Sequence, residues 1–227
     1  MKRWAMLIFT ISWFAIPTPA QDKAKAVPPP DELPRRAESN QRHRVALTTE
    51  QIAALRSRSV VVIKTRNRAG APVAQGSGVI ITRGGFVATN YHVMEGACSA
   101  SVEIEENAKS VPVTDIAVAD KSRDLVVFVM GRIAPDVVHL GSSEHLQPGA
   151  RVVVIGNPEG LARTVSDGLI AGKRVIDGAD WIQITAPISH GSSGGAVFDK
   201  YGDLVGITTA SLENGQNINF AALCRNL

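Results

Sequence analysis

The apolar and polar positions of the chain change character along its length. Trp4 to Ile16 is an almost unbroken apolar run, preceded by Met1-Lys2-Arg3 and followed by Pro17-Thr18-Pro19-Ala20. From Gln21 to Arg44 the chain turns polar, with Pro28-Pro29-Pro30, Pro34 and scattered charges, and with Val27 and Leu33 as its large aliphatics. Thr48-Thr49-Glu50-Gln51 reads as a helix start, and Ile52, Leu55 and Val60 suggest a short helix leading into a first strand, Val60 to Lys64. Beyond it the signals are almost all β. Ser77 to Thr82, Val111 to Val113, Leu125 to Val129, Arg151 to Ile155 and Leu204 to Thr209 are short apolar runs, each bounded by Gly, Pro, Asp or Asn. Short strands with turn residues at this spacing predict a sandwich or barrels.

The first two stretches are expected to lie outside the folded domain. A basic start, an apolar middle and small residues before Gln21 predict a signal peptide over 1–20, cut after Ala20. Its apolar run of about 13 residues falls short of the ~20 that a spanning helix needs. The mature protein is therefore expected to be exported, periplasmic or secreted, with no stable membrane span. Residues 21–44 cannot bury enough apolar surface to offset chain entropy and are expected to form a disordered linker. The folded domain is then 45–227.

With 44% hydrophobic and 20% charged residues among 227, the chain can fill the core of one large all-β domain or of two small lobes. Its formal charge of +3 comes from the leader. Lys2 and Arg3 lie within 1–20, and 21–44 holds six basic against four acidic residues, which leaves 16 basic and 17 acidic for 45–227, a net of −1. Such a domain carries no nucleic-acid groove that composition can reveal.

The candidate chemistry centres on Ile188-Ser189-His190-Gly191-Ser192-Ser193-Gly194-Gly195-Ala196. A serine hydroxyl is a poor nucleophile unless a base removes its proton and a third group orients that base. Gly191, Gly194 and Gly195 let the backbone turn its N–H groups towards one point beside Ser193. No histidine follows Ser193, and the only Asp residues before His92, Asp22 and Asp31, are in the polar stretch before the folded domain, so His, Asp, Ser is the chain order that remains for a triad. His92 is the candidate base, delivered by the apolar stretch from Phe86. His43, His139, His145 and His190 are weaker rivals by position. Asp124 is the candidate orienting acid because it opens directly into the apolar run Leu125-Val126-Val127-Phe128, where a carboxylate loses water and needs a hydrogen-bond donor. The alternative for Asp124 is an ordinary strand-start acid paired with Arg123 or Lys121.

These stretches together resemble the HtrA/Deg branch of the chymotrypsin-like serine proteases. The resemblance rests on Gly76-Ser77-Gly78-Val79-Ile80, Gly85 to Val93, Arg123-Asp124-Leu125-Val126, Gly156-Asn157-Pro158-Glu159-Gly160-Leu161, His190 to Gly195 and Gly206 to Ala210, in that order. It implies an all-β fold of two perpendicular, six-stranded-type β-barrels, about 45–135 and 136–219, with short helices at the start and end and a C-terminal segment over 220–227. It implies a serine endopeptidase acting on protein or peptide substrates through His92, Asp124 and Ser193 by way of an acyl-enzyme. The oxyanion hole would be the N–H groups of Gly191 and Ser193, with Ser192 a further candidate. Neither a metal nor another cofactor is called for. The chain stops at Leu227, where relatives often continue into a peptide-binding PDZ domain, so the resemblance is to the branch without that domain.

By position in that family, Pro187, Ile188, Thr208, Thr209 and Ala210 would border the substrate pocket. None is an acid, so cleavage is expected after small or medium apolar residues. Ser192 stands where the family usually has Asn or Asp. A freed N-terminal ammonium would find no carboxylate there, so the loop must be held by its own hydrogen bonds or by substrate. Cys98 and Cys224 are a candidate disulfide in an exported chain. A catalytically dead binding module and an esterase on the same fold remain alternatives, and the oligomeric state is open.

Overall fold

The computed structural model describes residues 44–104, 109–134, 136–142, 146–157, 163–189, 191–211 and 219–223. The signal peptide, residues 21–43 of the linker, and His43, His145, His190 and Cys224 lie outside the described residues.

The chain enters through α1, Thr49–Arg56. Thr48 caps it: the Thr48 hydroxyl accepts from the Gln51 N–H while the Gln51 side chain accepts from the Thr48 N–H, a reciprocal pair that satisfies two otherwise orphaned donors. A single 3₁₀ turn, Ser57–Ser59, then turns the chain into β1, Val60–Arg66. Five further strands close the first barrel: β2 (Pro72–Ile80), β3 (Phe86–Thr89), β4 (Ser99–Glu103), β5 (Val111–Asp120) and β6 (Leu125–Met130), in the order β1-β2-β3-β6-β5-β4. The short helix α2, Tyr91–Met94, follows β3. The second barrel runs β7 (Arg151–Gly156), β8 (Thr164–Ile176), β9 (Ala179–Ile184), β10 (Ala196–Asp199), β11 (Leu204–Ser211) and β12 (Asn219–Leu223), in the order β10-β11-β12-β9-β8-β7. All the ladders are antiparallel, from β1–β2 at Val60↔Val79 to β11–β12 at Ile207↔Ala222.

Three apolar layers hold this arrangement, and the two-residue strand period sorts side chains among them. Val61, Ile63, Ile80, Val87, Val126, Phe128 and Met130 fill the first barrel. Val152, Val154, Ile170, Ile182, Ile184 and Val197 fill the second. Their alternate neighbours, Val60, Val79, Ala88, Leu125, Val127, Val153, Ile155, Ala196, Phe198 and Ile207, form a third layer between the barrels. Strands lining that seam are buried on both faces and therefore read as continuous apolar runs. Burying a side chain of this size contributes about 1.5–3 kcal/mol, so the seam itself is a major stabilising element.

The last described residues form a strand, where a short helix was expected towards the chain end. Asn219–Leu223 is strand β12, which pairs with β11 and β9 and closes the second barrel, so the barrel extends past residue 219. Ala221, Ala222 and Leu223 are buried there, and their burial between two strands outweighs the helix preference of an alanine pair. Cys98 is an exposed thiol beside the start of β4, and Cys224, the other half of the candidate bridge, lies outside the described residues. Cys98 belongs to the first barrel, whereas Cys224 follows a strand of the second.

Candidate active site

His92 lies in α2, one turn past the end of β3, rather than on the strand itself. Its ring Nδ1 is 2.8 Å from Asp124 Oδ2, and its backbone N–H donates to Asp124 Oδ1 at 2.9 Å. One carboxylate therefore fixes both the ring and the start of the turn that carries it. Asp124 reaches this position from the turn before β6 with φ of 49°, a left-handed conformation that Asp tolerates better than most residues. Asn90 supports it by donating from Nδ2 to the Asp124 carbonyl at 2.9 Å. Thr209 of the second barrel donates its hydroxyl to Asp124 Oδ2, so the acid is gripped from across the seam as well. The basic neighbours in sequence are engaged elsewhere: Arg123 pairs with Asp120 at 2.6 Å and Lys121 with Glu95 at 2.8 Å.

The electrostatics follow from these contacts. The hydrogen bond to Asp124 raises the His92 imidazole above its ordinary value, against the opposing effect of burial. Burial, the largest single influence on Asp124, pushes its carboxyl up, but the bonds from the His92 ring, Thr209 and the His92 backbone together leave it below the usual carboxylate range. The pair is thus poised as carboxylate and imidazole, with Nδ1 holding the proton shared with Asp124.

Ser193 sits on the loop between Ser189 and β10, facing the seam. Its hydroxyl donates to the Thr209 carbonyl at 3.1 Å, and its own carbonyl accepts from the Ser77 N–H at 2.7 Å. Gly191 and Gly194 have φ of 86° and 84°. A Cβ on Gly194 would lie 2.0 Å from the Ser77 carbonyl oxygen, so only glycine lets the loop approach β2 this closely. The Ser192 N–H donates to the Ser189 carbonyl at 2.9 Å, which removes Ser192 from the expected oxyanion donors. Among the described residues the Ser193 N–H has no such partner.

The residues expected at the pocket divide in two. Pro187 is exposed and its carbonyl accepts from Ser166 at 2.7 Å, while Ile188 is half-buried against the core of the second barrel. Thr208 is fully buried behind the serine loop, where its hydroxyl donates to the Ser192 carbonyl at 2.5 Å, so it does not form a pocket wall. Thr209 serves Asp124 and Ser193 instead of a pocket. Ala210 pairs with Phe220 through the β11–β12 ladder.

Asn90, Ser77 and Asn157 fall within the sequence motifs, where residue type and order alone assign them no role. Their signal was a polar residue set inside an apolar or glycine-rich run. Ser77 and Asn157 are 0% and 1% exposed, which a polar side chain sustains only with its hydrogen bonds made. Among the described residues no group of three or more His, Cys, Asp or Glu side chains could hold a metal ion. No helix among them is long and apolar enough to cross a membrane.

The known proteins that this chain resembles include peptidases and proteases. Residues 76–207, more than half of the chain, match the family model described as trypsin-like peptidase domain. The magnetosome formation protease MamE of Paramagnetospirillum magneticum is 38% identical over 143 residues, covering 60% of this chain and 20% of that protein. A probable periplasmic serine endoprotease DegP-like of Brucella suis is 37% identical over 150 residues, covering 61% and 28%. The chain thus spans less than a third of the length of these relatives. The HtrA-type protease AlgW, solved with a tripeptide, superimposes with a TM-score of 0.72 at 29% identity, over 79% of this chain and 61% of that one. The serine endoprotease from Yersinia pestis gives 0.69 at 30% identity, over 80% and 64%. By its fold, its sequence match and these relatives, the chain belongs to the trypsin-like peptidase family, alongside its HtrA and DegP-like members.

Proposed function

We propose that this chain is a serine endopeptidase in which Ser193 is the nucleophile, His92 the general base and Asp124 the group that orients the base. The observation that carries this reading is the pair of hydrogen bonds between His92, ring and backbone, and Asp124, at 2.8 and 2.9 Å, beside Thr209, which bonds both Asp124 and the Ser193 hydroxyl. Because Nδ1 holds its proton on Asp124, the other ring nitrogen is the free acceptor. In the reaction the Ser193 hydroxyl gives up its bond to the Thr209 carbonyl and passes its proton to that nitrogen, a contact that substrate binding commonly tightens.

Attack on the scissile carbonyl moves the hydroxyl proton to His92 and leaves a tetrahedral oxyanion facing the N–H groups of Gly191 and Ser193. His92 then protonates the leaving amine, and the resulting ester on Ser193 is cleaved by a water activated in the same way. Each hole donor typically contributes on the order of 100- to 1,000-fold in rate. Cleavage after small or medium apolar residues is supported by the absence of any acid among Pro187, Ile188 and Ala210, the expected pocket residues that are not engaged in holding the triad or the serine loop. The relatives named periplasmic and the leader-like 1–20 segment support a periplasmic site of action on protein or peptide substrates.

A peptide-library digest tests the reading. The wild type is expected to cut internal bonds after Val or Ala with no added metal, and Ser193→Ala to cut none. Cuts dominated by Arg or Lys would refute the pocket, and full activity in Ser193→Ala would refute the nucleophile.

A further inference from the structure

The position before the nucleophile is Ser192 and not an acid, yet three successive carbonyls of the loop are each bonded. The Gly191 carbonyl accepts from the Ser77 hydroxyl at 2.9 Å. The Ser192 carbonyl accepts from the Thr208 hydroxyl at 2.5 Å and from the Gly195 N–H at 2.9 Å. The Ser193 carbonyl accepts from the Ser77 N–H at 2.7 Å. In a planar trans peptide the C=O and the following N–H point in opposite directions, so fixing a carbonyl fixes the next amide. Bonding of the Ser192 carbonyl to Thr208 therefore turns the Ser193 N–H away from β11, towards the cleft.

Ser77 is an unusual pin because every polar group it has is used. Its hydroxyl also accepts from the Asn157 N–H at 2.8 Å, and its carbonyl accepts from the Thr89 hydroxyl at 2.7 Å. Asn157 in turn reaches the first barrel, donating from Nδ2 to the Val61 carbonyl at 2.9 Å, and accepts from the Arg163 N–H at 2.9 Å. Ser77 lies on β2 of the first barrel and Gly191 on a loop of the second, so this bond spans the seam. Thr208 holds the loop from within the second barrel, with its N–H on the Gly195 carbonyl at 2.9 Å and its carbonyl accepting from Gly194 at 2.8 Å.

We propose that the Ser77 and Thr208 hydroxyls are positioning groups that hold the Gly191–Ser193 loop in its oxyanion-binding form, in place of an ion pair to an N-terminal ammonium. Neither touches substrate: one acts from the first barrel on Gly191, the other from the second on Ser192. The inference rests on the peptidase reading above and adds which side chains organise the hole.

Ser77→Ala and Thr208→Val test it, with Thr208→Ser as the variant that keeps the hydroxyl. Three measurements are made on each folded protein: steady-state kinetics for kcat and KM on one apolar peptide substrate, the affinity for a peptide aldehyde of the same sequence, and amide hydrogen exchange across 189–195. Removing a positioning group is expected to cost less than removing a hole donor, whose loss costs on the order of 100-fold or more. We expect kcat to fall roughly 10- to 50-fold in both variants, with KM within about threefold and aldehyde affinity falling in step with kcat/KM. Exchange in 189–195 rises at least about tenfold while that of β1 and β9 is unchanged, and Thr208→Ser stays near wild type. Exchange in 189–195 unchanged in both variants overturns the inference whatever the turnover. So does a rise spread over the whole chain with kcat and aldehyde affinity per titrated site unchanged, the mark of general destabilisation. A wild-type protein that neither turns over peptide nor reacts at Ser193 would sink the peptidase reading alone, and the exchange experiment would still decide whether the two hydroxyls hold the loop.

Discussion

The two barrels prepare their shares of the site in opposite ways. The first supplies His92 and Asp124 as a pair of side chains bonded to each other, anchored by a turn of helix and the start of β6. The second supplies Ser193 on a loop whose geometry is set by backbone bonds and by two glycines at positive φ. The Asp–His unit carries its own charge-assisted bond, with Asn90 and, across the seam, Thr209 as further partners of Asp124. The serine loop depends on outside partners, one of them Ser77 across the seam. Chemistry on this fold thus needs a rigid acid–base unit and a nucleophile loop that the first barrel helps to shape. Thr209 closes the circuit, since one residue of the second barrel bonds Asp124 and accepts from Ser193.

The largest expected effects come from removing one member on each side. Ser193→Ala and His92→Ala should each lower kcat/KM on a peptide by about 10⁴-fold or more, with the residual coming from binding and the hole. A much smaller loss from either would break the idea that the two barrels contribute equally necessary halves. Circular dichroism and thermal melting should show both variants folded, since His92 is half-exposed and Ser193 packs no core.

Asp124→Asn comes next, at roughly 10³- to 10⁴-fold in kcat at neutral pH, because the amide favours the wrong imidazole tautomer. The pH dependence sharpens the point. With the imidazole raised by Asp124, activity should climb through a midpoint above the ordinary imidazole value as His92 loses its proton, and the variant's midpoint should move down. The same pair affects stability in a defined window. Its raised His92 stabilises the fold below the ordinary imidazole value and loses that effect as pH rises through the folded value. Its lowered Asp124 stabilises above the ordinary carboxylate value and loses that effect as pH falls through the folded value. The wild type should therefore gain most over Asp124→Asn in mildly acidic solution, measured by denaturant melts across pH. Thr209→Val should cost less, about tenfold in kcat, since the His92–Asp124 bond survives it.

Much of this was legible in the sequence, and the physical reason differs by element. Leu125–Met130, Arg151–Gly156 and the later half of β2 stood out because they line the seam and are apolar on both faces. β8 and β9 did not, because β8 is exposed along much of its length and interrupted by Gly168 and Gly172. The Gly168 position abuts the backbone at Ala186, so the residue that hides the strand signal is there to permit a close contact. His92, Asp124 and Ser193 were readable from residue type and order. Ser77, Thr208 and Thr209 were not, because their roles depend on bonds between residues up to 114 positions apart, which no local pattern encodes.

The smallest expected effect on turnover concerns the chain's entry. Arg44 pairs with Asp203 at 2.6 Å and lies over the Tyr201 ring at 4.4 Å, on the far end of the β10–β11 hairpin from Ser193. A protein starting at Val45 loses that partner and leaves a buried carboxylate uncompensated, at a cost of about 3 kcal/mol in stability. Compared with a protein starting at Gln21, it should melt at lower temperature yet show the same kcat per titrated site. A strict need for one particular free N-terminus would show that the serine loop is held by something other than its own hydrogen bonds.

The most direct test of the two-barrel account is active-site labelling with a fluorophosphonate, located by mass spectrometry. One adduct per chain is expected, on Ser193, forming at a rate that rises with pH through the raised His92 midpoint and that collapses in both His92→Ala and Asp124→Asn. Labelling at another residue, or labelling of Ser193 that proceeds equally well without His92, would contradict it.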